Sequence, residues 1–245
     1  MRAQTLHTIG ILGLGRFGAF AASHFAKNPA FNIIGHDVRT GVEVPGLKAV
    51  DFAQVVAADV LILAFPLKAY PQLLPRIAGA VRPETLIVDV CSIKLRPTQY
   101  FKEYLAAHSN ILLTHPLFGP QSAAHSTKGH TLIVTKARGD RAERALAYCS
   151  RILGLDVQTM TPEAHDQLMA RIHVLTFFVA RGLGNMQLKK VPFMTPSYKM
   201  ITDLVDFNSL HSDELFKTIQ EGNPYSKEVR AEFIRSLEAI QKELQ

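Results

Sequence analysis

The stretch TIGILGLGRFGAFAA, residues 8–22, decides the fold of this chain. An apolar segment runs into a Gly-x-Gly-x-x-Gly sequence and then into an alanine-rich segment that favours a helix. The six positions of this turn are Gly13, Leu14, Gly15, Arg16, Phe17 and Gly18. A strand that turns tightly into a helix over such a sequence is typical of a sheet that binds a dinucleotide.

Each glycine of the turn has a physical reason. Gly13 permits the tight turn, Gly15 lets backbone amides approach a pyrophosphate, and Gly18 lets the helix pack closely on the strand. The next predicted strand ends in Asp37, which lies 37 − 18 = 19 positions after Gly18. A carboxylate there accepts hydrogen bonds from the adenosine ribose and repels a 2′-phosphate, which favours NAD, while nearby Arg39 keeps NADP open. The alternative is a glycine turn without a ligand and an aspartate that only caps its strand.

The residues around this motif alternate strand and helix patterns. Predicted strands cover residues 7–12, 31–37, 60–64, 85–90, 111–115, 130–134 and 156–159, and predicted helices cover 17–27, 71–81, 95–108 and 141–153. This alternation indicates βαβ units and a parallel sheet. We therefore predict an α/β fold with a doubly wound, Rossmann-type dinucleotide-binding domain over residues 1–160.

The pattern changes at residue 161, after which strand signals disappear. Thr161 and Pro162 predict a helix start, with Thr161 as the cap. Apolar residues then recur at helical spacing, at Leu168, Ile172, Leu175, Val179 and Leu183. Further helices are predicted at residues 197–206, 212–220 and 225–243. Residues 161–245 are thus predicted to form a helical substrate and dimerisation domain, which has little core of its own and pairs with a second copy as a homodimer.

The composition and charge of the chain limit the kinds of molecule that it is expected to bind. The chain has 245 residues and a net charge of +6, and residues 1–160 hold 17 basic against 10 acidic side chains. The basic residues are scattered, which favours a small anionic ligand over nucleic acid. Residues 1–10 carry no long apolar stretch, so no signal sequence, no membrane partner and a cytoplasmic location are expected. The two cysteines, Cys91 and Cys149, form no CxxC pair, so we expect reduced thiols and no metal.

Chemistry is expected just after the strands, because ligands of a doubly wound sheet bind outside its carboxyl ends. Three such places stand out, and we expect them to face the nicotinamide half of the cofactor: Phe65 and Pro66, the segment with Cys91, Ser92 and Lys94, and His115. A neutral imidazole at His115 is suited to remove a hydroxyl proton as hydride leaves the same carbon. The alternative is a histidine that only caps its strand. Ser92 either hydrogen-bonds a substrate hydroxyl or caps the following helix.

Four segments resemble the prephenate/arogenate dehydrogenase family. They are DVCSIK at residues 89–94, THPLFGPQS at 114–122, TPEAHDQLMA at 161–170 and PSYKMITDLV at 196–205. The resemblance implies an NAD(P)-dependent oxidative decarboxylation in tyrosine biosynthesis, giving 4-hydroxyphenylpyruvate from prephenate or tyrosine from arogenate. It also implies that His115 is the catalytic histidine bonded to the ring hydroxyl, that Ser92 assists, and that the helical domain forms an intertwined dimer. Gln121 and Ser122, in the same motif as His115, are candidate substrate-binding residues.

Two positions depart from the pattern of that family. Members often carry a second histidine eleven positions after the residue equivalent to Asp166, where this chain has Phe177. His173, one helical turn earlier, is either its replacement or a core or surface histidine. An arginine that clamps the substrate carboxylate in many members is replaced by Lys199, which keeps the charge without the bidentate fork.

Two other readings stay open. A cofactor-binding homologue that has lost catalysis would account for both departures. A β-hydroxyacid or imine reductase of the same fold is disfavoured, because such enzymes use a lysine in the first helix of the second domain and residues 162–182 contain none.

Overall fold

The computed structural model describes residues 7–245, which form two compact units, one ending at Pro162 and one covering Glu163–Gln245. The boundary expected between residues 160 and 161 lies two residues before this division. The expectation that residues 1–10 hold no signal sequence falls partly on residues 1–6, which lie outside the described residues. Among residues 7–245, no helix is both long and apolar enough to cross a membrane.

The first unit is built on one eight-stranded sheet. Its strands, in the order β3-β2-β1-β4-β5-β6-β7-β8, are β1 (His7–Leu12), β2 (Phe31–His36), β3 (Lys48–Ala49), β4 (Val60–Leu63), β5 (Leu86–Asp89), β6 (Ile111–Pro116), β7 (Thr131–Arg138) and β8 (Asp156–Thr159). The doubly wound fold class is thereby confirmed. Two strands depart from the expected parallel arrangement, because β7 pairs antiparallel with β6 and β8 pairs parallel with β7.

Helices cover both faces of this sheet. They are α1 (Arg16–Phe25), α2 (Phe52–Val56), α3 (Tyr70–Ala78), α4 (Leu95–Tyr104) and α5 (Asp140–Arg151). Alternate strand residues pack on opposite faces: Ile9 and Ile11 on one, Leu61 and Leu63 on the other. Each fully buried Leu or Ile side chain contributes about 1.5–3 kcal/mol. Burial on both faces explains why the strands read as continuous apolar runs.

The second unit consists of α6 (Pro162–Met169), a π-helical turn at Ala170–Val174, α7 (Leu175–Asn185), α8 (Pro196–Ser209), α9 (Asp213–Gly222) and α10 (Ser226–Glu243). Helix α6 begins at Pro162, as the proline predicts. The core of this unit is small and comprises Ala170, Val174, Phe177, Ile219 and Val229.

The apolar residues predicted at helical spacing lie in α6, the π turn and α7, but not all of them are buried within this unit. Leu168 and Ile172 are 43% and 51% exposed, whereas Met169 and Val174 are buried. The π turn adds one residue to the helix and so rotates the residues before it relative to those after it. The amide of Gln220 supports this turn by donating a 2.8 Å hydrogen bond to the carbonyl of Val174.

Candidate active site

The glycine turn between β1 and α1 leaves room for a ligand on one side and none on the other. Gly13 has a φ of +90°, and a Cβ there would lie 2.6 Å from the carbonyl oxygen of Ala64. A Cβ on Gly18 would lie 1.9 Å from the carbonyl oxygen of Gly13, whereas one on Gly15 would have no atom within 4 Å. The turn is therefore closed towards the sheet and open above Gly15. Arg16 and Phe17 begin α1 there, and their amides have no partner within the helix.

These observations fit the pyrophosphate of a dinucleotide. The open side of the turn lies at the start of a ten-residue helix, where backbone N–H groups and the helix dipole favour an anion. The turn also lies between β1 and β4, where the strand order reverses. Ligands of doubly wound folds bind at this reversal. The residues present thus provide the space and the donors that a dinucleotide needs.

Asp37 follows β2 and is held by the amide of Leu14 and by the amide and guanidinium of Arg39. One carboxylate oxygen accepts a 2.7 Å hydrogen bond from the amide of Leu14, and the guanidinium of Arg39 binds both oxygens at 2.9 and 3.1 Å. Hydrogen bonding to Arg39 lowers the pKa of Asp37 to about 2. The Asp37 side chain is 9% exposed and that of Arg39 60% exposed. Asp37 is therefore an anion that links the glycine turn to the end of β2.

Phe65 and Pro66 follow β4. The Phe65 ring is half-buried and lies 5.2 Å from the ring of Tyr70 at a steep angle. Tyr70 is fully buried, and its hydroxyl donates to the carboxylate of Asp89 at the end of β5. Burial, and next the charge of Asp89, raise the pKa of Tyr70 well above its ordinary value.

The segment after β5 places its polar residues at different depths. Lys94 is fully buried and forms an ion pair with Asp89, which is fully buried too. Cys91 and Ser92 are half-buried. Sequence reasoning singled out Lys94 at this strand end but missed its partners Asp89 and Tyr70. The signal for Asp89 was present, since a lysine five residues after a strand-end aspartate offers it a counter-charge.

His115 lies in β6 and is 2% exposed. Strand β6 pairs in parallel with β5, so the segments that follow these strands meet at one edge of the sheet. That shared edge brings the segment with Ser92 beside the end of the strand that carries His115. Phe118, three residues after His115, packs against Phe20 of α1, with ring centroids 6.3 Å apart.

Gln121 and Ser122 lie in the turn that follows His115. The Ser122 hydroxyl accepts a 3.1 Å hydrogen bond from the amide of Gly119. Ser122 is exposed and Gln121 half-buried.

The second unit groups its histidines around Phe177. The ring of Phe177 lies 4.8 Å from that of His173 and 4.9 Å from that of His211. Burial, and next the proximity of His211 and His165, lower the pKa of His173 to about 4. His173 is therefore neutral at pH 7. Sequence reasoning missed His211, because nothing in its local sequence indicates that it meets Phe177.

The other polar candidates of this unit are part of its internal contacts. Nδ1 of His165 lies 2.7 Å from the carboxylate of Asp166, and both side chains are fully buried. Asn223 donates a 2.7 Å hydrogen bond to the carbonyl of Asp166. Lys199, the replacement for the arginine, forms an ion pair with Asp203 one turn later on the exposed surface of α8.

Comparisons with known proteins agree with these features. The family described as "Prephenate dehydrogenase, nucleotide-binding domain" matches residues 27–157, and "TYRAAT1-like, C-terminal domain" matches residues 182–245. Arogenate dehydrogenase 2, chloroplastic, of Arabidopsis thaliana is 30% identical over 99% of this chain and 71% of its own length. A probable arogenate/prephenate dehydrogenase of Methanocaldococcus jannaschii is 28% identical over 94% of this chain and 54% of its own length.

Solved structures share the fold. Prephenate dehydrogenase from A. aeolicus, in complex with hydroxyphenyl propionate and NAD+, has a TM-score of 0.75 and 18% identity, covering 96% of this chain and 90% of that one. Synechocystis arogenate dehydrogenase has a TM-score of 0.63 and 18% identity, and the match covers 97% of this chain and 89% of that one. The family match and the Arabidopsis relative confirm the resemblance found in the four segments. The chain belongs to the prephenate/arogenate dehydrogenase family, whose members are nicotinamide-dependent oxidoreductases.

Proposed function

We propose that this chain catalyses the NAD-dependent oxidative decarboxylation of prephenate to 4-hydroxyphenylpyruvate. The observation that supports this most is the place of His115, buried in β6 beside the segment with Ser92. Both lie on the sheet whose glycine turn is open above Gly15. A base and a hydroxyl at the carboxyl edge of a dinucleotide-binding sheet suit the oxidation of a substrate alcohol.

The proposed chemistry assigns a proton to His115. Its imidazole removes the proton of the ring hydroxyl while the Ser92 hydroxyl holds the same oxygen by a hydrogen bond. A nicotinamide cofactor held at the glycine turn would supply the acceptor for the hydride that leaves the carbon carrying this hydroxyl. The bond to the ring carboxylate then breaks, carbon dioxide leaves, and its electron pair makes the ring aromatic. The proton held by His115 returns to the phenolate oxygen, so charge and atoms balance.

The proposed preference for NAD rests on Asp37. Its carboxylate is ionised at neutral pH and lies at the end of β2, where a ribose hydroxyl donates and a 2′-phosphate is repelled. Arg39 already uses both oxygens of that carboxylate, so its charge is balanced locally. Binding of NADP would require Arg39 to leave Asp37 for the 2′-phosphate. The ratio of the dissociation constants of NAD and NADP measures this preference, and Asp37→Asn is expected to shift it towards NADP.

The substrate is an anion with two carboxylates, and we propose that His173, Lys199, Gln121 and Ser122 contribute to its recognition. His173 is neutral at pH 7, so its contribution is a hydrogen bond rather than a charge. Lys199 must leave Asp203 to bind a carboxylate. Lys199→Met is expected to raise the KM for the substrate and leave kcat nearly unchanged if the lysine binds it.

Arogenate is the second candidate substrate. The relative from Arabidopsis that is 30% identical is named an arogenate dehydrogenase, and the relative from M. jannaschii carries both names. Arogenate differs from prephenate in carrying an amino acid in place of the keto acid side chain. The same proton and hydride transfers would then give tyrosine.

The test is an NADH or NADPH assay with the four pairings of NAD or NADP and prephenate or arogenate. We expect the highest kcat/KM with NAD and prephenate. A higher value with arogenate would replace prephenate by the second candidate. Turnover in none of the pairings, with clear cofactor binding, would support instead a cofactor-binding homologue that has lost catalysis.

We also propose that the second unit forms a homodimer. Ile234, Leu237 and Ile240 are exposed along α10, and Leu244 is exposed just after its end. Leu168 and Ile172 are exposed near the π turn. Exposed apolar side chains in such number are typical of an interface. Sedimentation equilibrium is expected to give twice the chain mass, and Leu237→Glu with Ile240→Glu is expected to give the monomer mass.

A cytoplasmic location is proposed as well. Within residues 7–245, Cys91 and Cys149 form no disulfide, as is usual in a reducing compartment. Recovery of the protein in the membrane or secreted fraction of cells would contradict this location.

A further inference from the structure

A buried ion pair lies at the carboxyl edge of the sheet. The carboxylate of Asp89 and the ammonium of Lys94 are both fully buried. Removing two such charges from water costs several kcal/mol each, and their attraction offsets this only when the geometry is good and the remaining polar atoms are hydrogen-bonded. A pair of apolar residues of similar size would serve stability as well. Stability alone therefore does not explain why this ion pair is present, and a function is the better explanation.

The polar atoms of this pair have partners on three elements. Asp89 accepts from the Tyr70 hydroxyl and, at 3.2 Å, from the amide of Cys91. The backbone carbonyl of Asp89 accepts a 2.8 Å hydrogen bond from the hydroxyl of Thr114. Lys94 donates both to Asp89 and to the carbonyl of Thr114. The network thus joins the start of α3, the end of β5 and the end of β6.

The contact with Thr114 bears directly on His115. The carbonyl of Thr114 and the nitrogen of His115 belong to the same planar peptide, so a group that holds this carbonyl also fixes the orientation of His115. The regular pairing of β5 with β6 ends one residue earlier, at Asp89 and Leu113. On the other side, the pairing of β6 with β7 is interrupted by a bulge between Leu113 and Thr114. Lys94 therefore holds this peptide at a point where the pairing of β5 with β6 has ended and the pairing of β6 with β7 is interrupted.

We propose that Lys94 is a positioning residue for His115, acting through the carbonyl of Thr114, with Asp89 holding its ammonium in place. The inference rests on the proposed function of His115 as the base. A displacement of about 1 Å at a reacting group lowers turnover by about 10²-fold. Lys94→Ala is therefore expected to lower kcat by about 10²-fold and leave the dissociation constant of NAD within about twofold.

Chemical rescue distinguishes this role from a general loss of stability. Propylammonium has the length and charge of the part of the side chain that Lys94→Ala removes. It is expected to restore kcat in a saturable way, whereas 1-propanol, of similar size and without charge, is not. The matched control is Arg82→Met, which breaks a partly exposed ion pair with Asp59 at the amino edge of the same sheet. This control is expected to leave kcat within about twofold of the wild type, with or without propylammonium.

A second variant covers the case in which Lys94→Ala does not fold. Asp89→Asn with Lys94→Met removes both charges together, so no unpaired charge stays buried. It is expected to fold and to show the same loss of kcat. Unchanged kcat in either folded variant would overturn the inference, and so would failure of both to fold, because the pair would then serve folding itself.

A measurement without turnover separates this inference from the proposed function. The His115 imidazole signal, assigned in NMR spectra by its loss in His115→Asn, is expected to shift in Lys94→Ala and not in Arg82→Met. An unchanged signal would overturn the positioning role even in an active enzyme. A shifted signal in a chain that turns over none of the four pairings would support positioning while the proposed function fails.

Discussion

The two edges of the sheet use ion pairs in different ways. At the amino edge, Asp59 accepts a 2.9 Å hydrogen bond from the amide of Thr8 and pairs with Arg82, and these two charged side chains are 29% and 42% exposed. At the carboxyl edge, Asp89 and Lys94 are fully buried. The first pair joins the segments before β4 and β5, whereas the second joins the last residue of β5 to the segment that follows it, beside the strand that carries His115.

The two ion pairs differ in the free energy that it costs to form them. An exposed ion pair contributes about 0–1 kcal/mol to stability, and its charges stay hydrated. Its presence therefore needs no functional explanation. A buried pair costs several kcal/mol per ion before its attraction is counted. The costly pair lies at the edge where we place the chemistry. If this interpretation is right, changes at the carboxyl edge alter turnover or binding, and changes at the amino edge alter stability alone.

The largest effect is expected from His115→Asn. Loss of the base should lower kcat by about 10²–10⁴-fold while the affinity for the cofactor is nearly unchanged. Steady-state kinetics and a fluorescence titration with NAD measure the two quantities. The control at the amino edge is His108→Asn, whose ring contacts the carbonyl of Thr85 at 2.7 Å. Equal losses of kcat in the two variants would contradict the proposal that only the carboxyl edge of the sheet takes part in turnover.

Gly15→Val is expected to affect binding next most strongly. A side chain at Gly15 meets no protein atom within 4 Å, so stability should change by less than about 1 kcal/mol. The same side chain fills the space above the turn and should weaken cofactor binding by at least about tenfold, or ~1.4 kcal/mol. Gly182→Val is the matched control, since that glycine also faces open space but lies in α7. Unchanged NAD affinity in Gly15→Val would contradict a cofactor at this turn.

A smaller effect is expected from acid at Asp37. Its pKa is lowered to about 2 in the folded chain, so the stabilisation it provides is present above about pH 4 and is lost as the pH falls towards 2. Because Arg39 is 60% exposed, we expect about 1 kcal/mol rather than the full value of the shift. Urea unfolding of the wild type and Asp37→Asn should differ by this amount at pH 6 and converge near pH 2. A constant difference across this range would show that the carboxylate charge contributes nothing.

The smallest effect is expected from Arg82→Met at the amino edge. Loss of the pair with Asp59 should cost about 0.5–1 kcal/mol of unfolding free energy and leave kcat within about twofold. Denaturant unfolding and the same kinetic assay measure both. A large loss of kcat here would show that the two edges are coupled through the sheet.

Much of the first unit could be predicted because its strands are buried on both faces. Apolar or β-branched runs marked seven of the eight strands, although β8 is mostly exposed, and the spacing from Gly18 to Asp37 marked the predicted cofactor turn. Strand β3, with only two residues, is too short to give a pattern. The reversed direction of β7 and β8 was not predictable either, since the apolar pattern of a strand does not encode its direction.

The second unit was harder to predict because its side chains depend on contacts far along the chain. The apolar pattern could not show that Leu168 and Ile172 are exposed within this unit while Met169 and Val174 are buried. Local spacing could not show that His211 meets Phe177 from 34 positions away. In the candidate site, the strand-end rule found His115, but only the folded structure shows that Lys94 is buried against Asp89.

The strand order has a consequence for chain entropy. Most neighbouring strands close short loops: His7 pairs with Phe31 over 31 − 7 = 24 positions, and Val60 with Leu86 over 86 − 60 = 26. The reversal between β1 and β4 pairs Ile9 with Val60, over 60 − 9 = 51 positions. The entropic cost of closing a loop grows only with the logarithm of the loop length, so this doubling of the length adds about 0.6 kcal/mol. The crevice at the reversal is therefore created at a small entropic cost.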